Sequence, residues 1–319
     1  MNLFIRKVLI LFIFFALISS TADFFLSSLL RKTNLFQGEC EVWSDIYDSN
    51  INCDVAIYGS SRSWVQVNPT TIENRTKLKT YNFGVDGHNI HLQHLRHLEF
   101  LKHNAPPKII ILCLGPHTLE KKSTFYNMEQ LIPFMLWNWT IMNKTKDFEG
   151  VDKWDYIFPM VRYSGKATMI KEAMAILIGK KQKKTRTKGF KSNNKSWTKN
   201  AEQFLNSNKS YISKIDENTK IEFEKFIDDC KNNNIDLKLI YTPEFIDGQK
   251  KIINKDLTIK LFKGIAINKE IKFYDFSNHN ICNEKSNFYN TEHLNSKGSS
   301  IFTNVIIDKV IKNTKTNDE

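Results

Sequence analysis

Apolar residues along this chain fall first in one long block and then in short runs separated by longer amphipathic stretches. The block covers 8–30, 23 residues carrying a single charge, Asp23, and it is preceded by Arg6 and Lys7. About 20 apolar residues suffice to span a bilayer, and the flanking cations favour a cytoplasmic N-terminus. Two readings fit: an uncleaved membrane anchor, or a signal peptide cleaved near Ser20-Thr21-Ala22, where the residues are small. Phe24, Phe25, Leu26, Leu29 and Leu30 keep the segment apolar past that point, which favours the anchor. Both readings put the remaining chain outside the cytoplasm, in the periplasm or at the cell exterior.

From Cys53 onward the rhythm becomes that of a parallel α/β protein. Strands are predicted at 55–58, 78–83, 108–114, 236–241 and 271–275. The third is bounded by Pro106-Pro107 and Gly115-Pro116, residues that interrupt regular structure. Helices are predicted at 217–232, before the fourth strand, and at 296–312, closing the domain. The expected architecture is a flavodoxin-like three-layer α/β/α sandwich with a mostly parallel sheet. Its expected division is an anchor at 1–32 and one domain at 33–319, with an insertion at 121–211. That insertion holds Phe134, Trp137 and Trp139, a predicted helix at 167–178, and seven Lys or Arg among the twelve residues 180–191. The basic run reads either as a solvated loop or as a surface resting on anionic lipid or a polyanionic substrate.

The 319 residues carry 46 Lys and Arg against 34 Asp and Glu, a net charge of +12. Such an excess suits an anionic surface or polymer, but heavy use of Lys, Asn and Ile throughout accounts for it equally well. No nucleic-acid-binding motif accompanies it, so no nucleic-acid partner is expected. Cys40, Cys53, Cys113, Cys230 and Cys282 form no metal-ligand spacing. Cys40 and Cys53 would pair only in an oxidising compartment, and scattered core cysteines are the simpler reading.

In an open parallel sheet, reactive groups collect beyond the carboxyl ends of the strands. The first strand is followed there by Gly59-Ser60-Ser61-Arg62, the second by Gly84-Val85-Asp86-Gly87-His88-Asn89, and the third by Gly115-Pro116-His117. Asn290-Thr291-Glu292-His293-Leu294-Asn295 precedes the final helix. A serine nucleophile needs a base for its proton and donors for the oxyanion that its attack creates. The order of these four segments brings such groups to one sheet edge.

With those segments the sequence resembles the SGNH (GDSL-like) hydrolase superfamily, whose four blocks supply Ser, Gly, Asn and His in that order. Gly59-Ser60-Ser61 matches the Gly-Asp-Ser block, which implies Ser61 as nucleophile. Asn82 to Gly87 matches the glycine block, which implies the Gly87 amide as an oxyanion donor beside that of Ser61. The run from Asn290 to Asn295, with Gly298, matches the Asp-x-x-His-Leu block and implies His293 as base. The match extends from about Asp54 to Asn313, without the insertion. Val42-Trp43, the Ile57 to Arg62 run, Tyr81-Asn82 and Gly87-His88-Asn89 are similar to membrane-anchored SGNH-like proteins of Bacteroides-type bacteria. The layout is also similar to the D-alanyl transfer protein of lipoteichoic acid and to alginate acetyltransferases. These resemblances imply a serine esterase or O-acyltransferase acting on acyl esters of an envelope glycan, with a membrane O-acyltransferase as a candidate partner.

Two positions depart from the pattern. His117 stands where the third block has Asn; its ring N–H can donate to an oxyanion, and its tautomer then matters. Asn290 stands where the orienting Asp belongs; its carbonyl can hold an imidazole but adds no charge. An Asp-to-Asn change in a comparable triad costs about 10,000-fold. Asp275 and Glu292 are possible stand-ins, although neither has the usual spacing. The rival expectation is therefore a degenerate SGNH-fold binding or assembly protein; a lipid-active enzyme with a groove near Trp137 and Trp139 is a third. Arg62 reads either as a surface charge or as a group that binds an anionic substrate. His88, His91, His94, His97 and His103 step around a helix by about 60° per three residues, which spreads them, so partly exposed histidines are expected and no metal. No cofactor is expected.

Overall fold

The computed structural model describes residues 3–312; the last residue of the expected match, Asn313, and the domain end at 319 lie outside them. In chain order the main elements are α1 (Leu3–Leu30), α2 (Glu39–Tyr47), β1 (Val55–Gly59), α3 (Ser61–Gln66), α4 (Pro69–Thr76), β2 (Thr80–Asn82), α5 (Ile90–His103), β3 (Ile109–Leu114), α6 (Ala167–Leu177), α7 (Lys199–Asn206), α8 (Glu217–Asn232), β4 (Asp236–Tyr241), α9 (Lys255–Asn268), β5 (Lys272–Asp275) and α10 (Ser296–Ile306). All five expected strands form, the second shortened at both ends to Thr80–Asn82. Helix starts follow from local chemistry: the side-chain oxygens of Asn68, Asn89, Asp216 and Asn295 each accept an N–H of the first turn of the helix they precede.

The described residues divide into two compact units, 3–45 with 123–185 and 46–122 with 186–312. The larger unit holds a five-stranded, wholly parallel sheet of order β2-β1-β3-β4-β5. From β1 the chain passes to β2 on one side and later to β3 on the other. The switch point lies between β1 and β3, where the adjoining loops part and leave a crevice at the carboxyl ends. On one face α10 buries Phe302 and Ile306 with Ile57, Ile111 and Ile240 in the main hydrophobic cluster. Each such side chain removed from water contributes about 1.5–3 kcal/mol.

The smaller unit is built on α1. Residues 3–18 of that helix are exposed, whereas Asp23, Ser27 and Leu30 are buried. Asp23 forms a two-pronged ion pair with Arg162, at 2.6 and 2.7 Å, and both side chains are almost wholly buried. An isolated carboxylate there would carry a heavy desolvation cost, which the paired guanidinium offsets.

The expected insertion at 121–211 is thus shared between the units. Residues 186–211 go with the sheet because main-chain bonds hold them there: Asn82 N–H donates to Lys188 O at 2.9 Å, and Lys191 N–H to Trp64 O at 3.0 Å. The basic run is divided too. Arg186 is buried with its guanidinium 4.4 Å from the Trp64 ring centre, so this member is not a solvated charge. All five cysteines are buried.

Candidate active site

Gly59 ends β1 at φ +146°, where a Cβ would sit 2.7 Å from Cys113 Cβ and 2.9 Å from Ser63 Cβ. Only glycine lets the chain turn so closely between β3 and α3. Ser60 caps α3, and Ser61 is its first residue, half-buried at the carboxyl edge of the sheet. Asn82 fixes that short helix by donating from Nδ2 to Ser63 O and Val67 O, each at 2.8 Å.

His293 arrives from the other end of the chain on the loop before α10. The loop is held by Asn295 N–H on Asn287 O, Tyr289 N–H on His293 O and Phe245 N–H on Thr291 O. Gln66 of α3 donates to Glu292 O at 2.9 Å, tying the two halves of the site together. The Tyr289 ring stacks on the imidazole at a centroid distance of 5.4 Å.

The result is a hydrogen-bonded triad. Ser61 Oγ lies 2.7 Å from His293 Nε2, and His293 Nδ1 lies 3.0 Å from Asn290 Oδ1. The same Oδ1 accepts the main-chain N–H groups of Glu292 and His293, at 3.0 and 2.8 Å. Those donors identify the oxygen of the amide, so it is an acceptor that faces Nδ1. The ring therefore carries its proton on Nδ1 and offers the Nε2 lone pair to the Ser61 hydroxyl. Burial pushes the His293 pKa down to about 4; the negative Glu292 opposes this, while Arg62 and His117 reinforce it. At neutral pH the ring is uncharged and able to take a proton.

A chain of charges lies beside the triad. Arg62 is buried, and its Nη2 donates to Glu244 Oε1 at 2.7 Å and lies 3.5 Å from Glu292 Oε2. The sequence leaves Arg62 as either a surface charge or a binder of an anionic substrate; in the structure it is buried and turned to two carboxylates. Burial disfavours the Arg62 charge, but Glu244 and Glu292 outweigh it and hold the guanidinium charged. His117 Nδ1 bonds Glu120 Oε2 at 2.9 Å and the Tyr211 hydroxyl at 2.8 Å, and its Nε2 lies 3.7 Å from Glu292 Oε1. Burial alone would lower the His117 pKa; the bonds to Glu120 and Glu292 win and lift it to about 9. Burial likewise favours neutral Glu292, yet His117 and Arg62 keep it ionised, well below the usual carboxylate range. So His117 is an imidazolium at pH 7, and its charge removes the tautomer question that its sequence position raised.

Gly87 sits at φ +70°, exposed, in the loop that Val85 N–H fixes on Gly59 O at 2.9 Å. Beside His117 opens a groove of about 690 Å³ lined by Glu120, Tyr211, Ile212, Ile215 and Ile253, among others. Of the two proposed stand-ins, Glu292 joins the charge chain, whereas Asp275 accepts Ser277 N–H at the end of β5. Of the α5 histidines, His91 and His103 are partly exposed as expected, whereas His94 and His97 are buried, and His94 bridges Glu222 and Asp229 of α8 through both ring nitrogens, at 2.7 and 2.6 Å. Glu244, Glu120 and Tyr211 escaped the sequence reading. Glu244 carried a usable signal, since it lies three residues beyond β4, at the same sheet edge as the other site segments.

No protein-family model matches the chain, and no curated protein matches it. Among solved structures it is similar to a GDSL-like lipase from Bacteroides thetaiotaomicron, at 10% identity and TM-score 0.39 over 81% of this chain and 88% of that one. A protein described as a lipolytic protein of the G-D-S-L family from Desulfitobacterium hafniense aligns at 11% identity and TM-score 0.38, covering 79% and 97%. A structure described as a platelet activating factor from Streptococcus pneumonia aligns at 11% and 0.43, covering 95% and 98%.

Proposed function

We propose that the chain is a membrane-anchored serine esterase or O-acyltransferase of the SGNH type, working on acyl esters of an envelope glycan outside the cytoplasm. The observation that carries the chemistry is the 2.7 Å approach of Ser61 Oγ to a neutral His293 whose other nitrogen is held by Asn290. In the proposed cycle Ser61 attacks the ester carbonyl while His293 Nε2 takes its proton. The tetrahedral intermediate collapses as His293 returns that proton to the leaving alkoxide, giving an acyl-Ser61 ester and a free alcohol. A water or sugar hydroxyl then loses its proton to His293 and attacks the acyl carbon; the acyl–Oγ bond breaks, and His293 Nε2 returns the proton to Ser61 Oγ as the acid or new ester leaves. The oxyanion is assigned to the Ser61 and Gly87 amides, with imidazolium His117 contributing its positive charge. The groove beside His117 supports a sugar-sized substrate, since tyrosine and carboxylate groups share its wall with isoleucines. Arg6 and Lys7 support placing the N-terminus inside and the sheet unit outside.

The test is labelling of the purified full chain with a fluorophosphonate, which reacts with activated serines. Labelling should be lost in Ser61→Ala and fall steeply in His293→Ala, because a neutral hydroxyl is a poor nucleophile without its base. Acyl donors offered with and without a glycan acceptor then separate transfer from hydrolysis. A second reading, a binding protein that keeps the fold without the reaction, is favoured by the missing carboxylate at Asn290. It predicts a folded chain that takes no label.

A further inference from the structure

Asp23 is a costly residue inside an apolar span, and the structure supplies its partner from the segment 123–185. Besides the Arg162 pair, Asp23 Oδ2 accepts Met160 N–H at 2.7 Å, and four residues earlier Ser19 Oγ donates to Pro159 O at 3.3 Å. One turn later Ser27 meets the Tyr163 hydroxyl at 2.7 Å, and Arg31 donates to Pro133 O. Residues 158–163 are therefore fastened along 19–27 of α1. A helix rises about 1.5 Å per residue, so a 30 Å hydrocarbon layer entered at Val8, just past Lys7, is left near Ser27. The attachment lies within the outer part of that layer and not beyond it.

From this placement we infer that segment 123–185 is itself membrane-embedded, seated in the outer leaflet against α1 and facing lipid; the inference rests on the reading of α1 as a membrane span. Its outer surface has the chemistry that lipid requires. Trp154, Phe158 and Val161 are 45%, 47% and 39% exposed beside the attachment. On α6, Met169 and Ala173 turn inward, while Ile170, Met174 and Leu177 form an exposed apolar row at helical spacing, continued by Ile178. Lys180, Lys181, Lys183 and Lys184 follow at once, the arrangement of an interfacial helix that meets anionic headgroups. Trp137 and Trp139 are exposed too, and tryptophan favours the membrane–water boundary. The Asp23–Arg162 pair stays shielded from hydrocarbon by protein, as an intramembrane charge must be.

The full chain, reconstituted in vesicles of mixed zwitterionic and anionic phospholipid, provides the test. Single cysteines replace Leu11, Phe158 or Leu177, each labelled with an environment-sensitive fluorophore; the native thiols are all buried, which leaves the new one as the reactive site. Lipids carrying a quencher on the acyl chain should lower emission at all three positions, by about half or more for a probe seated in hydrocarbon. Quenching at Leu11 without quenching at Phe158 and Leu177 would overturn the inference and leave the anchor standing. Absence of quenching at Leu11 would remove the anchor reading and the inference with it. Probes at 158 and 177 that are shielded from water yet untouched by lipid quenchers would show a protein surface covering this face, and would also overturn it.

Discussion

Asn290 presents its side-chain oxygen to His293 Nδ1 at 3.0 Å, and two main-chain N–H groups hold that oxygen in place. The orienting half of a triad is thus present without its charge. Replacing this amide by a carboxylate adds the charge and keeps the acceptor. Asn290→Asp should raise model-ester turnover by about tenfold or more, given what the reverse change costs in a comparable triad. Asn290→Ala should lower it by freeing the imidazole to rotate. Steady-state kinetics on one soluble ester distinguishes these outcomes, and an unchanged rate in Asn290→Asp would mean that Glu292 already supplies the field.

The pH profile follows from two opposed histidines. His293 is pushed down to about 4 and must be neutral to act, so activity should fall on an acidic limb near pH 4. His117 is lifted to about 9 and acts as a cation, so a second limb should appear near pH 9 and disappear in His117→Asn. Stability responds with the same signs. The His293 contribution is present above its unfolded value of about 6.5 and is lost as pH falls through about 4. That of His117 is complete below about 6.5 and is lost as pH rises through about 9. Rate and melting temperature measured across pH check both.

Glu244 neutralises Arg62 where neither side chain reaches solvent. Glu244→Ala would leave the guanidinium only its longer contact with Glu292, and breaking a buried pair costs about 3–5 kcal/mol. Denaturant unfolding should record that loss. Glu244→Gln, which retains an acceptor, should lose less.

Gly84 packs against α3 so closely that a Cβ would collide with Ser63 Oγ and lie 2.6 Å from Trp64 N. Gly84→Ala should therefore push α3 away and carry Ser61 with it. A stability loss of about 1–3 kcal/mol, as for other overpacked sites, should accompany a fall in fluorophosphonate labelling. Labelling at the native rate would show that α3 can shift without disturbing Ser61.

The sheet is readable in the sequence because strands depend on local signals, whereas Ser61 and His293, 232 positions apart, were singled out through the family resemblance. Val55–Gly59 and Asp236–Tyr241 are apolar runs that end in turn residues; Ser61 lies two residues beyond the first, and His293 lies three residues before the final helix. What escaped was pairing over distance. Arg62 and Glu244 are 182 positions apart and Asp23 and Arg162 are 139, and no periodicity links such partners. Nothing near Arg62 in sequence neutralises it, so its carboxylate partners are legible only in the fold. The segment 186–191 is polar and basic, so its place against the sheet, set by main-chain bonds to Trp64 and Asn82, is not legible in the sequence.

The 232 positions between Ser61 and His293 also set an order of events during synthesis. A chain made from its N-terminus at about 5–20 residues per second holds its serine for about 10–50 s before the histidine exists. Throughout that interval the hydroxyl has no proton acceptor, and β1 and β3 lack α10 over their outer face. On the proposed reading, a chain that lacks the last loop is inert toward esters, and reactivity begins only when that loop closes over α3, so the finished fold acts as its own timer.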